Sequence, residues 1–256
     1  MNIILEVKKL NKYFGGLAAI SELDLNVIDT EILGLIGPNG AGKTTLFNLI
    51  SGFFPPTSGK VLFNGREITW LKAHEIADLG ISRTFQATSL FMKLSVLDNV
   101  FTGYHLSYKA NILKRILRTP TALKEEELLR QKAIEVLEFM GLTPLINELA
   151  ANLPHGHQRI LGICLALATN PKLLLLDEPV TGMNATETQN MINLIRQIRE
   201  RNITIVLVEH DMKAVMNLCD RIVVLNYGQK IAEGLPEEIR ENKEVIEAYL
   251  GRERKK

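Results

Sequence analysis

The sequence predicts an α/β fold with three parts: a core built on a mostly parallel sheet with helices, an N-terminal antiparallel β subdomain and an inserted α-helical subdomain. Three observations lead to this prediction. Alternating apolar residues dominate the start of the chain, helical periodicity dominates from Val96 to about Ala168, and apolar runs alternate with helical patterns after that. We therefore expect a single domain over residues 1–256, with its parts at residues 1–95, 96–168 and 169–256.

The antiparallel subdomain is predicted from two segments in which apolar and polar residues alternate, as in half-buried strands. The apolar positions are Leu5, Val7 and Leu10, followed by Leu23, Leu25 and Val27. Further on, the dipeptide Asn64-Gly65 separates Val61–Phe63 from Arg66–Ile68. Asn and Gly supply the positive φ angles of a tight turn, so we expect a hairpin that extends the same sheet.

An apolar run, Ile32–Ile36, ends at the segment GPNGAGKTT, which fits the nucleoside-triphosphate loop pattern GxxxxGK[ST]. Glycine lets backbone N–H groups approach phosphates closely, Lys43 is expected to reach the β and γ phosphates, and Thr44 is expected to bind Mg²⁺. A helical pattern follows, and the order strand, glycine loop, helix disfavours the alternative of a chance glycine turn. The predicted nucleotide-binding residues are Gly37, Pro38, Asn39, Gly40, Ala41, Gly42, Lys43, Thr44 and Thr45.

The second part of the core is predicted as two strands that alternate with two helices, which implies parallel strands joined by crossover helices. These elements are Leu173–Asp177, Ala185–Glu200, Ile203–Val208 and Met212–Leu218. Asn184 and Glu187 resemble a capping box at the start of the first helix.

Two carboxylates, Asp177 and Glu178, come at the end of the apolar run Leu173–Leu176. Open α/β sheets bind their ligands at the carboxyl ends of the strands. Asp177 is therefore predicted to hold Mg²⁺ through water, and Glu178 to orient and deprotonate an attacking water as general base. The alternative is a plain acidic turn after a buried strand.

Length and charge limit what the chain can be, and its 256 residues are enough for a sizeable core. Its 30 basic and 29 acidic residues give a net charge of +1, so no global field favours nucleic acid or anionic lipid. Cys164 and Cys219 lack the spacing of a metal site, which indicates reduced thiols in the core of a cytosolic protein. The apolar runs are shorter than the roughly 18 residues that span a bilayer, and the N-terminus does not resemble a signal peptide.

Together with LLLLDEP, these motifs make the chain resemble the nucleotide-binding subunit of an ATP-binding cassette (ABC) transporter over nearly its whole length. The resemblance implies that Gln86, in GISRTFQ, contacts Mg²⁺ and the attacking water. It implies that His210, in LVLVEHD, contacts the γ phosphate, and that Phe14, in KYFGG, stacks on adenine, with Tyr13 as the weaker candidate. Without the family, a structural histidine and a core aromatic would be the simpler interpretations.

The segment LPHGHQR stands where the family has its LSGGQ signature, which completes the ATP site of the opposite subunit. The resemblance implies a head-to-tail dimer with two ATP molecules, contacted in trans by Pro154, His155, Gly156 and His157. Pro154 replaces a serine that would donate to the γ phosphate, and proline has no N–H to compensate. We hypothesise that the site completed by this motif hydrolyses ATP poorly. Trapping one site of the dimer at a time tests this, and equal turnover at the two sites would contradict it.

Within the superfamily, the chain is most similar to the G-type ATPase of bacterial branched-chain amino acid importers. This resemblance rests on three parts of the chain: RTFQATSLFMKLSVLDNV, the long stretch before EVLEFMGL, and the ending GLPEEIRENKEVIEAYLG. It implies a second ATPase subunit, two transmembrane permease subunits and, indirectly, a periplasmic solute-binding protein, but no nucleic acid. The chain would lie in the cytoplasm, peripheral on the inner face of the membrane.

Two surfaces are candidates for contact with the membrane subunits. Gln86 to Leu94 is where family members receive a coupling helix, and Phe85, Leu90 and Phe91 are suitable anchors, although core packing is an equal interpretation. The segment from Asn99 to Leu123 contains no acid, and its basic residues would face lipid headgroups, a membrane subunit or simply solvent. These residues are Lys109, Lys114, Arg115 and Arg118.

Three other functions remain as alternatives. The ATPase of the lipopolysaccharide exporter has a similar C-terminal ending, but the long helical insert argues against it. A soluble ABC ATPase acting on ribosomes or nucleic acid usually carries two cassettes or a coiled-coil insert. A P-loop kinase is disfavoured by Gln86, LPHGHQR and His210 together. The sequence leaves open the transported solute and the choice between homodimer and heterodimer.

Overall fold

The computed structural model of the chain describes residues 2–84, 90–107 and 117–250. The chain divides into two units, one formed by Met1–Ile81 with Lys172–Lys256 and the other by Ser82–Pro171. No helix in the described ranges is both long enough and apolar enough to cross a membrane.

An antiparallel sheet forms the N-terminal part of the first unit, with the strand order β2-β1-β4-β5. Its strands are β1 (Ile3–Phe14), β2 (Leu17–Ile28), β4 (Ser58–Phe63) and β5 (Arg66–Glu67). The apolar residues singled out in β1 and β2 are all buried, and most of the polar residues between them are more exposed, as the sequence predicts. Asn64 and Gly65 have φ angles of 49° and 74°, so the predicted tight turn between β4 and β5 is confirmed.

The central sheet of the first unit is mostly parallel. β3 (Ile32–Ile36) pairs in parallel with β8 (Thr204–Val208) and β9 (Arg221–Asn226), and β8 pairs in parallel with β7 (Leu173–Asp177). β10 (Gln229–Gly234) is antiparallel to β9. The sheet has the order β10-β9-β3-β8-β7-β6, and its last strand, β6 (Ile81–Arg83), is where the chain passes into the second unit.

All residues of β3, β7 and β8 are buried, as expected for parallel strands covered on both faces. Because the three strands run in parallel, their carboxyl ends share one edge of the sheet. The phosphate loop, Glu178 and the predicted switch histidine follow these ends, and Asp177 is the last residue of β7. The strand predicted to begin at Ile203 begins at Thr204.

Helices flank the sheet of the first unit. They are α1 (Lys43–Ile50), α2 (Ala73–Leu79), α6 (Ala185–Glu200), α7 (Met212–Leu218), α8 (Pro236–Glu241) and α9 (Lys243–Leu250). Asn184 Oδ1 accepts the backbone N–H groups of Thr186 and Glu187, and Glu187 Oε2 accepts the N–H of Asn184 in return. The predicted capping box at the start of α6 is therefore confirmed.

The second unit is helical, with α3 (Val96–Gly103), α4 (Pro120–Phe139) and α5 (His155–Leu167). It starts at Ser82, earlier than the predicted boundary at residue 96. Within this unit, the buried side chain of Asn99 accepts the N–H of Phe91 at 2.8 Å and donates to the carbonyl of Phe91 at 3.0 Å. In addition, Ala150 donates to the carbonyl of Leu94 at 3.0 Å. These bonds attach the residues before α3 to the helical unit.

Both cysteines are buried, Cys164 in the second unit and Cys219 in the first, which confirms their predicted place in the core. Burial raises the pKa of both thiols, that of Cys219 to about 12. The thiols therefore remain protonated at neutral pH, and protonated thiols are poor nucleophiles and metal ligands.

Candidate nucleotide-binding site

The phosphate loop lies between β3 and α1, and its three glycines adopt positive φ angles: 150° at Gly37, 81° at Gly40 and 104° at Gly42. A Cβ atom on Gly37 would lie 2.1 Å from the carbonyl oxygen of Leu225, and one on Gly42 would lie 2.6 Å from that of Ala19. Only glycine fits these two positions. Helix α1 begins at Lys43, so its positive end faces the loop and favours an anion there.

Gly37→Ala is expected to lower the free energy of unfolding by about 2 to 4 kcal/mol, because the new methyl group meets backbone atoms and the positive φ angle becomes strained. Gly40→Ala is the matched control, since its φ angle is also positive but nothing lies within 4 Å of the new Cβ atom. That change is expected to cost about 1 to 2 kcal/mol. Urea unfolding of the two variants measures the difference, and equal losses would contradict the steric explanation.

Lys43 is buried, with 6% of its surface exposed, and its Nζ donates to the carbonyl oxygens of Gly37 at 2.6 Å and Pro38 at 3.0 Å. These bonds hold the ammonium group across the loop. Burial lowers the pKa of Lys43, whereas the charges of Glu178 and Asp177 raise it. The two carboxylates therefore act electrostatically on the lysine of the phosphate loop.

Glu178 and His210 come together although they lie far apart in the sequence. Asp177 ends β7, and Glu178 follows with a φ angle of 51°, an uncommon value for a residue with a side chain. Glu178 Oε1 lies 2.8 Å from His210 Nε2, at hydrogen-bond distance. The predicted general base and the predicted switch histidine therefore form one pair at the edge of the sheet.

A cavity of about 400 Å³ joins most of the predicted residues of the first unit. The residues that line it are Phe14, Leu17, Ala18, Ala19, Asn39, Gly40, Ala41, Gly42, Lys43, Thr44, Thr45, Glu178, His210 and Tyr227. A larger, mostly apolar cavity of about 620 Å³ lies between α7 and the two C-terminal helices and contains none of the predicted site residues. The smaller cavity is therefore the candidate site, because it borders the phosphate loop, the ammonium group of Lys43 and the predicted general base Glu178.

Phe14 lines the cavity and also contacts Phe54 and Lys12. Its ring meets that of Phe54 edge to face, with the ring centroids 5.5 Å apart, and Lys12 Nζ lies 5.1 Å from its centroid. Even so, 48% of Phe14 remains exposed. Phe14 lines the cavity and Tyr13 does not, so the structure favours Phe14 as the aromatic residue of the site.

Tyr227 is a lining residue that sequence reasoning missed. It forms a tight turn with Gly228 between β9 and β10, with φ angles of 46° and 77°, and it is 84% exposed. The N–H of Gly228 donates to the carbonyl of Ala41 at 3.0 Å, which fixes the turn against the phosphate loop. The Tyr-Gly pair between two apolar strands predicts a turn, but its position beside the loop depends on the tertiary fold.

Tyr249, near the end of α9, is a second residue that sequence reasoning missed. Burial raises the pKa of its phenol, whereas the nearby backbone of Gly37 lowers it. The C-terminal helix therefore contacts the first residue of the phosphate loop.

Two predicted parts of the site, Gln86 and the LPHGHQR motif, are not among the described residues of the first unit. Gln86, like Phe85, lies outside the described residues. In the second unit, Pro154 directly precedes α5, His155 is its first residue, and Gly156 and His157 belong to its first turn. The LPHGHQR motif thus lies at the N-terminus of a helix, where backbone N–H groups are available to an anion.

Comparison with known proteins adds family information to this geometry. Residues 20–181 match the family model for ABC transporters, and residues 229–255 match a model described as branched-chain amino acid ATP-binding cassette transporter. The chain is 43% identical to the high-affinity branched-chain amino acid transport ATP-binding protein BraF of Pseudomonas aeruginosa, over 97% of this chain and 98% of that protein. It is 42% identical, over the same shares, to the corresponding protein LivG of Escherichia coli K12.

Solved structures agree with these relatives. The chain is similar to the ADP conformation of MJ1267, an ATP-binding cassette of an ABC transporter, with a TM-score of 0.87 and 32% identity. The alignment covers 98% of this chain and all of that one. A dimeric post-hydrolysis structure of the cassette MJ0796 bound to ADP and phosphate has a TM-score of 0.77 and 26% identity, over 91% of this chain and 99% of that one.

Proposed function

The chain belongs to the ABC transporter family, as an ATP-binding subunit of branched-chain amino acid import, and on this premise we propose roles for its site residues and its partners. It is an ATPase that couples ATP hydrolysis to transport. The observation that carries the proposal is that one cavity borders the phosphate loop, Lys43, Glu178 and His210. We assign the phosphates of ATP to the loop and Lys43, and the adenine to Phe14.

In the proposed reaction, the oxygen of a water molecule forms a bond to the γ phosphorus, and the bond from that phosphorus to the β–γ bridging oxygen breaks. ADP leaves with the electron pair of the broken bond, and Glu178 takes a proton from the water. His210 holds the Glu178 carboxylate at 2.8 Å, and we assign it the contact to the γ phosphate. Lys43 balances the negative charge that the phosphates bring into the cavity.

The residues of the first unit fit a Mg²⁺ ion that arrives with the nucleotide. Such an ion takes one or two protein oxygens and several phosphate or water oxygens. Thr44 and Asp177 supply oxygen donors, and the charge of Asp177 is near enough to Lys43 to raise the pKa of that lysine. Thr44 and Asp177, with Gln86, would hold the ion, which neutralises phosphate charge when it is bound.

We propose that the chain works as one half of a head-to-tail ATPase dimer, with a paralogous ATPase as its partner. The dimeric structure of the cassette MJ0796 supports dimerisation. The residues Pro154 to His157 would then complete the partner's ATP site, with the serine donor missing at Pro154. Two permease subunits would hold the chain at the inner face of the cell membrane, and a solute-binding protein would deliver the amino acid to them.

Co-purification of the full-length chain from its own cells tests the proposed partners. We expect two multi-span membrane proteins and a second cassette ATPase to be recovered with it. The similarity to branched-chain transport proteins over 97% of the chain favours this result over the lipopolysaccharide exporter. Recovery with ribosomes or nucleic acid, and without membrane subunits, would overturn the transporter assignment and favour a soluble ABC ATPase.

A further inference from the structure

We propose that Glu209 is a positioning residue, which clamps the loop carrying Glu178 to the loop carrying His210 and so keeps the base and the histidine at their working distance. This inference rests on the proposed function of the site and assigns a role to a residue that lines no described cavity. Glu209 follows β8 directly and is 1% exposed.

The two carboxylate oxygens of Glu209 bind the backbones of two different loops. Oε1 accepts the N–H of Val180, in the loop after β7, at 2.7 Å. Oε2 accepts the N–H of His210, in the loop after β8, at 3.0 Å. The nearby backbone of Asp211 also lowers the pKa of this carboxylate. One buried side chain therefore connects the segment beside Glu178 with the segment that contains His210.

The loop after β7 needs such a connection because its conformation is strained. Glu178 has a φ angle of 51°, and residues with side chains keep this conformation only where the surrounding structure holds them. On one side, the N–H of Glu178 donates to the carbonyl of Val208 at 2.8 Å. On the other side, the N–H of Val180 donates to Glu209. Val208 and Glu209, at the end of β8, thus bind the backbone at Glu178 itself and two residues after it.

A stabilising role alone explains Glu209 poorly. Burial raises its pKa, which backbone N–H groups oppose, and in the part of the chain that the structure describes no cation pairs with it. A well-packed apolar residue costs less in such a place than a buried carboxylate. The N–H groups of Val180 and His210 lie on two different loops, and both need an acceptor. A carboxylate can serve both, because it has two oxygens.

Glu209→Gln and Glu209→Ala in the complete transporter test the inference. The amide of the glutamine can accept on one oxygen only, and alanine accepts no hydrogen bond. We expect kcat for ATP hydrolysis to fall by about tenfold or more for alanine and by less for glutamine, since small misplacements of catalytic groups are costly. KM for ATP should stay within about twofold, because the phosphate loop and Lys43 are untouched.

Glu31→Gln is the matched control. Glu31 is also a buried carboxylate, and it accepts the N–H of Ile28 at 2.6 Å and pairs with Arg221 at 2.7 Å, but it lies just before the start of β3, away from the loop. The Glu31→Gln substitution should lower the temperature of unfolding and leave kcat within about twofold of the wild-type value. Glu209→Gln keeps the test decisive if Glu209→Ala does not fold.

Wild-type kcat in both Glu209 variants, or equal losses of kcat in Glu209→Gln and Glu31→Gln at matched stability, would overturn the inference. A wild-type transporter that hydrolyses no ATP would instead overturn the proposed function on which the inference rests. The two failures are therefore distinguishable in one series of measurements.

Discussion

Glu178→Gln is expected to lower the rate of ATP hydrolysis by about 10²- to 10⁴-fold, because an amide cannot take the proton of the attacking water. The change keeps the size of the side chain and an oxygen at hydrogen-bond distance from His210. Lys43 and the phosphate loop are unchanged, so ATP should remain bound and should hold the dimer closed. Single-turnover hydrolysis and size-exclusion chromatography with ATP measure the two effects.

Glu200→Gln is the control for this change, since it removes an exposed carboxylate at the end of α6 and should leave hydrolysis unaltered. If hydrolysis in Glu178→Gln equals that of the wild type, Glu178 is not the general base. If hydrolysis and ATP binding are lost together, the residue acts in binding rather than in proton transfer.

Lys43→Ala is expected to raise the Kd for ATP by about 100-fold or more, since loss of one partner of a buried charge pair costs about 2 to 5 kcal/mol. The ammonium group already lies between the carbonyl oxygens of Gly37 and Pro38, where a bound phosphate would add to its partners. The variant also leaves these two carbonyl groups without their donor. Titration with a fluorescent ATP analogue measures the affinity.

Lys60→Ala is the matched control, because Lys60 belongs to the other Gly-Lys pair of the chain. It is an exposed side chain that pairs with Glu67 at 3.1 Å, and surface pairs of this kind contribute about 0 to 1 kcal/mol. Its removal should leave ATP affinity within about twofold. Similar losses of affinity in both lysine variants would contradict the assignment of Lys43 to the phosphates.

Features that depend on local chemistry were predictable from the sequence. The glycine loop after β3, the Asn64-Gly65 turn and the Asn184 capping box are set by a few neighbouring residues, and the structure confirms them. Burial of every residue of β3, β7 and β8 likewise follows from their apolar runs. The relative positions of Lys43 and Glu178 follow because parallel strands end at one edge of the sheet.

Features that depend on tertiary contacts were not predictable. Tyr227 reaches the cavity because its turn bonds to Ala41, and Tyr249 reaches Gly37 because α9 folds back on the sheet. Glu209 looks like any acidic residue at the end of a strand until its two oxygens are seen to bind different loops. The attachment of Phe91 to α3 is of the same kind, because it depends on the buried side chain of Asn99, a polar residue within a helical pattern.

The most direct test of the ATPase-driven transport function is ATP-dependent uptake of a radiolabelled branched-chain amino acid into vesicles that contain the complete transporter. Vesicles with the wild-type chain are expected to accumulate the amino acid only when ATP is present on the side that faces this subunit. Vesicles with Glu178→Gln are expected to show uptake at background level while the chain still binds ATP. Uptake at the wild-type rate with Glu178→Gln would contradict the account, because transport would then proceed without hydrolysis at this site.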